Sequence, residues 1–330
     1  MAGMIPLSVL DLAPVPEGSD AGAALRNSRD LAAHVERLGF KRFWMAEHHS
    51  MAGVASAATA VCLAFVAGGT STIRIGAGGI MLPNWSPLQV AEQFGTLESL
   101  FPGRIDLGLG RAPGTDFAAA KALRRNLATD ANRFPQDVVE LMAYFDPPEP
   151  APVRAVPGEG LEVPVWILGS SLFGAQLAAM LGLPYAFASH FAPDAMDAAI
   201  DVYRRSFKPS KQLAEPYVML GYNVFAADSD EEGALLASSM EQAFVALRTG
   251  NPGKLKPPVS GYRDTLPPQY RATIDNVLSC SAIGSPERVR KQVDAFVART
   301  GADELMITSQ IFDHRARLRS YELLAQAMAL

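Results

Sequence analysis

Apolar and polar positions alternate along this chain in blocks, and the period changes from block to block. Ile5–Asp11 is a short apolar run that predicts a buried strand. Leu25–Leu38 then has helical spacing, with Leu25, Leu31, Val35 and Leu38 on one face and Gly39 at its end. The same change of rhythm recurs. Strand-like runs follow at Phe43–Ala46, Ile73–Met81, Ile105–Leu109, Val163–Leu168, Pro184–Ala188, Tyr217–Ala226 and Leu305–Ser309. Helical runs lie between them at Ala55–Ala67, Leu88–Leu100, Asn132–Phe145, Phe173–Leu181 and Asp194–Phe207, with a last one at Arg315–Met328. Strands separated by helices in this way predict parallel βα units. An open doubly wound sheet holds as many strands, but no GxGxxG follows the first one and the repeats are even. The pattern therefore predicts a closed (β/α)8 TIM barrel, with residues 1–330 forming one domain.

Two stretches break the rhythm. Pro147–Pro164 is rich in Pro and Gly and reads as a long loop before the fifth strand. Leu247–Asp275 is a larger insertion between strands seven and eight, of the kind that often covers the active-site face of a barrel. Behind it, Ser285 and Pro286 are the N-cap and first position of a further helix.

Composition narrows the function classes. Of 330 residues, 49% are hydrophobic and 19% charged, which allows a sizeable core. A net charge of −5 without a clustered basic face argues against nucleic acid as a partner. Cys62 and Cys280 sit in apolar surroundings with no pairing pattern, which fits a reducing, cytoplasmic location. The N-terminal MAGMIPLSVLDLAPVP lacks a basic n-region, so no signal peptide is expected. Val54–Gly69 is too short and too weakly hydrophobic to span a bilayer, so no membrane partner is expected.

In a barrel, the residues just past the strand C-termini share one pocket. Here these are Asp11; Glu47, His48 and His49; Gly78 and Gly79, then Asn84; Gly110 and Arg111; Gly169, Ser170 and Ser171; Ser189 and His190; and Ser309 and Gln310. The adjacent histidines read in two ways. One ring is exposed and the other bonds a backbone carbonyl, or the pair sits at a strand end to move a proton near pH 7. A metal site is not expected. There is no HExxH, and His34 and His314 fall on predicted helices.

The stretch GSSLFGAQ, Gly169 to Gln176, is either an ordinary serine N-cap or an anion site made by a helix start and two hydroxyls. Arg111, at the end of the neighbouring strand, favours a phosphate there. GAGGIMLP, Gly76 to Pro83, indicates either tight barrel packing or a flat ring laid on bare backbone at Gly78–Gly79. With a ring on those glycines and its phosphate at Arg111, Ser170 and Ser171, His48 falls at the ring's edge.

The stretches AEHHSMAGVASAAT, GGIMLPNWSPLQVAEQFGTLESLFPGRIDLGLGRAPGTD, WILGSSLFGAQLAAMLGLPYAFASHF and SYELLAQAM carry a family resemblance over nearly the whole chain. The chain resembles the bacterial luciferase-like flavin-dependent monooxygenases, most closely the alkanal-monooxygenase-like branch. The resemblance implies a (β/α)8 barrel that binds FMN, usually as a homodimer. It implies reduced FMN as co-substrate, supplied by a separate flavin reductase. Oxygen adds to the flavin, and the hydroperoxide oxidises a small aldehyde-like or other apolar substrate. The flavin ring is expected over Gly78–Gly79 and the phosphate near Arg111, Ser170, Ser171 and the Gly174 backbone, with Gly110 and Gly169 also binding the cofactor. His48 is the expected catalytic histidine. Asp11, His49, Trp85 and His190 are the expected substrate pocket. Relatives often have histidine where this chain has Trp85, so Trp85 is expected to reshape that pocket. No luminescence is expected. Two alternatives stay open: a deazaflavin-dependent oxidoreductase that moves hydride on the same barrel, and a flavin-binding protein without turnover.

Overall fold

The computed structural model describes residues 5–112, 117–123, 131–147 and 152–330. Strand β1 (Leu7–Asp11) leads into helix α1 (Ala21–Arg37), β2 (Arg42–Met45) into α2 (Thr59–Ala67), and β3 (Arg74–Met81) into α3 (Pro87–Leu100). Next come β4 (Ile105–Gly110) with α4 (Phe117–Leu123) and α5 (Phe134–Phe145), β5 (Val165–Gly169) with α6 (Leu172–Leu181), and β6 (Tyr185–Phe187) with α7 (Met196–Ser206). Strand β7 (Val218–Ala226) is followed by α8 (Asp230–Arg248) and α9 (Pro268–Val277), then β8 (Ser281–Gly284) and α10 (Pro286–Thr300), and finally β9 (Glu304–Thr308) and α11 (His314–Met328).

Strands β1 to β6 pair in sequence order, β1 also pairs β9, β9 pairs β7, and β7 pairs β6. That closes a parallel (β/α)8 barrel, as the alternating pattern predicts. Its eighth wall strand is β9. The short β8 was not foreseen: its four residues, SAIG, are too few to show a period. It lies beyond β6 on the same edge of β7. Tyr185–Phe187 pair with Val218–Leu220, and Ser281–Gly284 pair with Asn223–Ala226.

Helix α2 begins at Thr59, four residues later than the apolar run suggests. The loop before it is held down: Ser56 Oγ donates to Ala46 O at 2.6 Å and to Leu12 O at 3.2 Å. Three of the described helices start where a side-chain cap satisfies a first-turn amide. Asp20 accepts from Ala23 N at the start of α1, Ser229 from Glu232 N at α8, and Asp313 from Ala316 N at α11. No described helix is long and apolar enough to cross a membrane.

Alternate strand residues point into the barrel. At the strand starts the interior is ionic. Arg42 donates to Glu304 at 2.7 Å and to Asp106 at 2.8 Å, and Arg74 reaches Asp106 at 2.7 Å. Tyr217 Oη (2.8 Å) and Ser8 Oγ also donate to Glu304. Buried charges survive only when paired and hydrogen-bonded, and these are. The next layer is apolar: Leu10, Trp44, Trp166, Ala186, Met219 and Met306 pack together. Trp44 and Trp166 meet edge to face at 5.2 Å. The two layers fill the barrel from below, so chemistry is confined to its C-terminal end.

The insertion between strands seven and eight does more than lengthen a loop. After α8 it runs to the loops behind β1 and β2. Leu255 N donates to Val15 O at 2.9 Å, and Glu17 N donates to Leu255 O at 2.8 Å. Pro14 bridges Val54 in turn. Gly53 lies so close to this strap that a Cβ on it would sit 2.2 Å from Gly253 O. Its α9 packs with α8: Ile274 and Leu278 join Phe225, Ala237, Met240 and Ile311 in an apolar cluster.

Candidate active site

The inward parity of β2 runs through Arg42 and Trp44, and continues through Ala46 to His48. Backbone pairing keeps this stretch extended: Ala46 N donates to Asp11 O and Glu47 N to Gly79 O. His48 is thus presented at the mouth, while its neighbours Glu47 and His49 face the other way.

Glu47 is fully buried, with 0% exposure. Its Oε1 lies 2.7 Å from His49 Nε2 and accepts from Asn84 Nδ2 at 3.1 Å. Its Oε2 accepts from the Met81 amide at 2.9 Å and the Trp85 indole N–H at 3.0 Å. The carboxylate therefore ties the loop behind β2 to the loop behind β3. His49 and Trp85, expected in the substrate pocket, are both engaged by this clamp. Sequence reasoning placed Glu47 at the mouth but gave it no role. A carboxylate between an apolar run and two histidines was the available signal.

Strands β3 and β4 carry glycine at their inward positions. A Cβ on Gly78 would lie 2.8 Å from Leu10 Cδ1, one on Gly79 2.7 Å from Gly108 O, and one on Gly110 2.8 Å from Met81 Sδ. Packing against backbone thus requires glycine at Gly79, whereas at Gly78 and Gly110 the nearest atoms are the ends of the Leu10 and Met81 side chains. The Gly78–Gly79 peptide is cis, and the β3–β4 register shifts between Gly78 and Ile80. One stretch of barrel wall is left without inward side chains.

Arg111 leaves the end of β4 exposed, with its guanidinium 4.3 Å from the centre of the Phe173 ring on α6. Ser171 is the N-cap of α6 and makes no side-chain capping bond. Ser170 and Ser171 are exposed. Beneath them Tyr185 Oη donates to Ser171 O at 3.1 Å, and Gly169 packs against Gly174. Arg111 thus meets α6 within one turn of the two serines at its N-terminus.

Asp11 is not brought into this group. It alternates with the inward Ser8 and Leu10, so it points to the helix layer. There its Oδ1 accepts from Arg317 Nη1 of α11 at 3.1 Å, with both residues buried. Parity along β1 would have shown this.

His190 lies across the mouth, near enough to His48 for the two imidazoles to interact electrostatically. Its Nδ1 is buried and has no hydrogen-bond partner among the described residues. Burial first, and then His48, pushes its pKa down from 6.5 to about 4. Native His190 is therefore neutral where unfolded histidine is half charged. Between pH 6.5 and about 4 the unfolded chain takes up a proton that the native ring refuses, so acidification destabilises the fold over that window. His190→Gln is expected to lose less stability between pH 7 and 4.5 than the parent, measured by urea unfolding. Parallel pH profiles would remove this assignment. Sequence reasoning also missed Asn223, a polar side chain at an inward position of β7. Its amide donates to His190 O at 2.8 Å.

Among the described residues, no group of three or more His, Cys, Asp or Glu is arranged to hold a metal ion. Two surface clefts of about 500 and 870 Å³ lie beside α9, and neither includes His48, Arg111 or Ser170. The chemistry at the strand ends marks the site, not concavity.

Comparison with known proteins gives the family and the fold. The family model described as luciferase-like monooxygenase matches residues 5–304. A protein of Escherichia coli (strain K12) named luciferase-like monooxygenase is 52% identical over 320 residues, covering 97% of this chain and 96% of its own. The solved structure of apo-MsnO8 superposes with a TM-score of 0.88 at 36% identity, covering 99% of both chains. Two more distant structures share the fold. One is the oxygenating constituent of 3,6-diketocamphane monooxygenase in complex with FMN (TM-score 0.72, 16% identity, 99% of this chain and 98% of that one). The other is an F420-dependent secondary alcohol dehydrogenase (TM-score 0.69, 16% identity, 99% of both chains). On the family match along most of its length and the close relatives, this chain belongs to the luciferase-like monooxygenase family, a family of oxidoreductases.

Proposed function

We propose that the protein is an FMN-dependent monooxygenase that uses reduced FMN and O2 to oxidise a small, largely apolar molecule. The observation that carries this reading is a single arrangement. Arg111 and the uncapped start of α6 stand beside a side-chain-free wall of β3 and β4, with His48 at the same mouth. The donor set suits a phosphate monoester: a guanidinium, two hydroxyls and free helix amides. The glycine wall suits a flat ring. Gly78 and Gly79 would back the ring, and Gly110, Arg111, Gly169, Ser170, Ser171 and Gly174 would surround the phosphate.

When bound, reduced flavin supplies the electrons that activate O2. The chain's own residues do the rest. Arg111 and the serines anchor the phosphate and so set the ring's position. His48 holds or delivers a proton from its imidazole at the ring's edge. Glu47 keeps the His48 loop in register with β3, and the strap through Leu255 with the apolar cluster of α8 and α9 limits access of water. Resemblance to the family supports a homodimer, a separate flavin reductase as partner and a cytoplasmic location. Hydride transfer with a deazaflavin is the competing reading, because the F420-dependent dehydrogenase shares this barrel.

Anaerobic titration with reduced FMN and with reduced deazaflavin, followed by admission of oxygen, decides between them. Tighter binding of reduced FMN and oxygen uptake coupled to substrate oxidation are expected. Preference for the deazaflavin without oxygen uptake would sink the monooxygenase reading. Arg111→Ala is expected to weaken reduced-FMN affinity about tenfold or more, as loss of a charged hydrogen-bond partner does. Unchanged affinity would place the phosphate elsewhere.

A further inference from the structure

The inward face of β7 reads, from the barrel floor upward, Met219, Gly221, Asn223 and Phe225. The alternate residues Val218, Leu220, Tyr222 and Val224 belong to the core between wall and helices. Met219 lies in the apolar plug below, and Phe225 in the apolar cluster of α8 and α9 above. Between two greasy layers sits one polar step.

That step is built, not incidental. His190 is seated on bare backbone: a Cβ on Gly221 would lie 2.1 Å from its Nδ1. Ser189 Oγ donates to Gly221 O at 2.7 Å, and Asn223 Nδ2 donates to His190 O at 2.8 Å, which pins the segment behind β6 to β7. Asn223 is 0% exposed. Yet Asn223 Oδ1 and His190 Nδ1 are buried with no hydrogen-bond partner among the described residues. A buried polar atom without a partner costs roughly 1–3 kcal/mol, so two of them on one joined segment of β7 and the loop behind β6 point to a ligand.

We propose that Asn223 Oδ1 and His190 Nδ1 form the substrate's polar subsite. The group it takes is a neutral one that donates a hydrogen bond, a hydroxyl or amide N–H, on an otherwise apolar small molecule. This rests on the monooxygenase reading for the word substrate. The amide oxygen can only accept, and the imidazole offers one further donor or acceptor. Neither group carries a charge at neutral pH, so a carboxylate or ammonium head would enter without a counter-charge at this step. The apolar layers on either side suit the body of the molecule.

The test uses the purified protein, with and without FMN, and four probes of one shape: benzyl alcohol, benzyl methyl ether, toluene and benzoate. Binding is measured by isothermal titration calorimetry. Benzyl alcohol is expected to bind about tenfold more tightly than toluene or the ether, the ratio given by one hydrogen bond to a buried acceptor, and benzoate most weakly. Asn223→Ala is expected to erase the preference for the alcohol. Gly221→Ala, which drives the His190 ring out of its seat, is expected to reduce it. Equal binding of alcohol and toluene by the parent protein overturns the proposal. So does an Asn223→Ala protein that keeps the preference, or one that keeps it while losing FMN affinity, which would assign the amide to the flavin. If Asn223→Ala does not fold, the parent's ranking and Gly221→Ala decide. The readout needs no turnover. Failure of the oxygenase reading leaves it interpretable, and its failure leaves that reading standing.

Discussion

Replacing His48 by alanine is expected to lower turnover by about 10²-fold or more while reduced-FMN affinity stays within a few-fold. The asymmetry follows from position. His48 stands on the inward parity of β2 at the mouth, whereas the phosphate-type donors Arg111, Ser170 and Ser171 lie at the ends of β4 and β5. On the proposed reading, losing the imidazole removes a proton carrier and no anchor. Steady-state turnover with reduced FMN and an anaerobic titration separate the two quantities. Turnover equal to that of the parent would take His48 out of the mechanism. A parallel collapse of affinity would turn it into a binding group.

Glu47→Ala has the second large effect. The carboxylate is fully buried and receives hydrogen from Asn84, Trp85 and the Met81 amide, with His49 at 2.7 Å. Its removal strands one buried and several half-buried donors at once. The expected loss is about 2–4 kcal/mol of unfolding free energy, because each orphaned donor forfeits its partner without regaining water. Urea unfolding measures it. The loop behind β2 also loses its tie to β3, so turnover is expected to drop even in the folded fraction, where His48 no longer holds its place. A loss below 1 kcal/mol with unchanged turnover would show that the remaining contacts hold the loop without Glu47.

These two residues differ in how far the sequence announced them. His48 is legible as one of two adjacent histidines after an apolar run. Glu47 is equally visible in sequence, but its four partners come from 2 to 38 positions away and only the closed wall brings them together. The same holds on β7. Asn223 is a lone polar letter in VMLGYNVFA. Its parity says that it points inward, yet the empty acceptor beside His190 exists only because Gly221 lets the imidazole lie on the backbone.

Local pattern was enough for the barrel. Apolar blocks of strand length, helical spacing and terminal glycines are all read within a dozen residues, and parallel βα units have few ways to close. It was also enough to say which residues stand at the strand ends, though not what each one meets there. The short β8 was beyond it, because four residues cannot display a period. The inward or outward sense of Asp11 was there in the alternation along β1. Its partner Arg317, 306 positions away, was not. Side-chain direction follows from the two-residue period of a strand, a local property, whereas partnership and burial depend on which distant strands and helices meet. The sequence by itself thus determined the barrel, which residues stand at the strand ends, and the family. The tertiary structure alone decided that Glu47 is a clamp, that Asp11 belongs to the helix layer, and that His190 and Asn223 keep two buried polar atoms unpartnered.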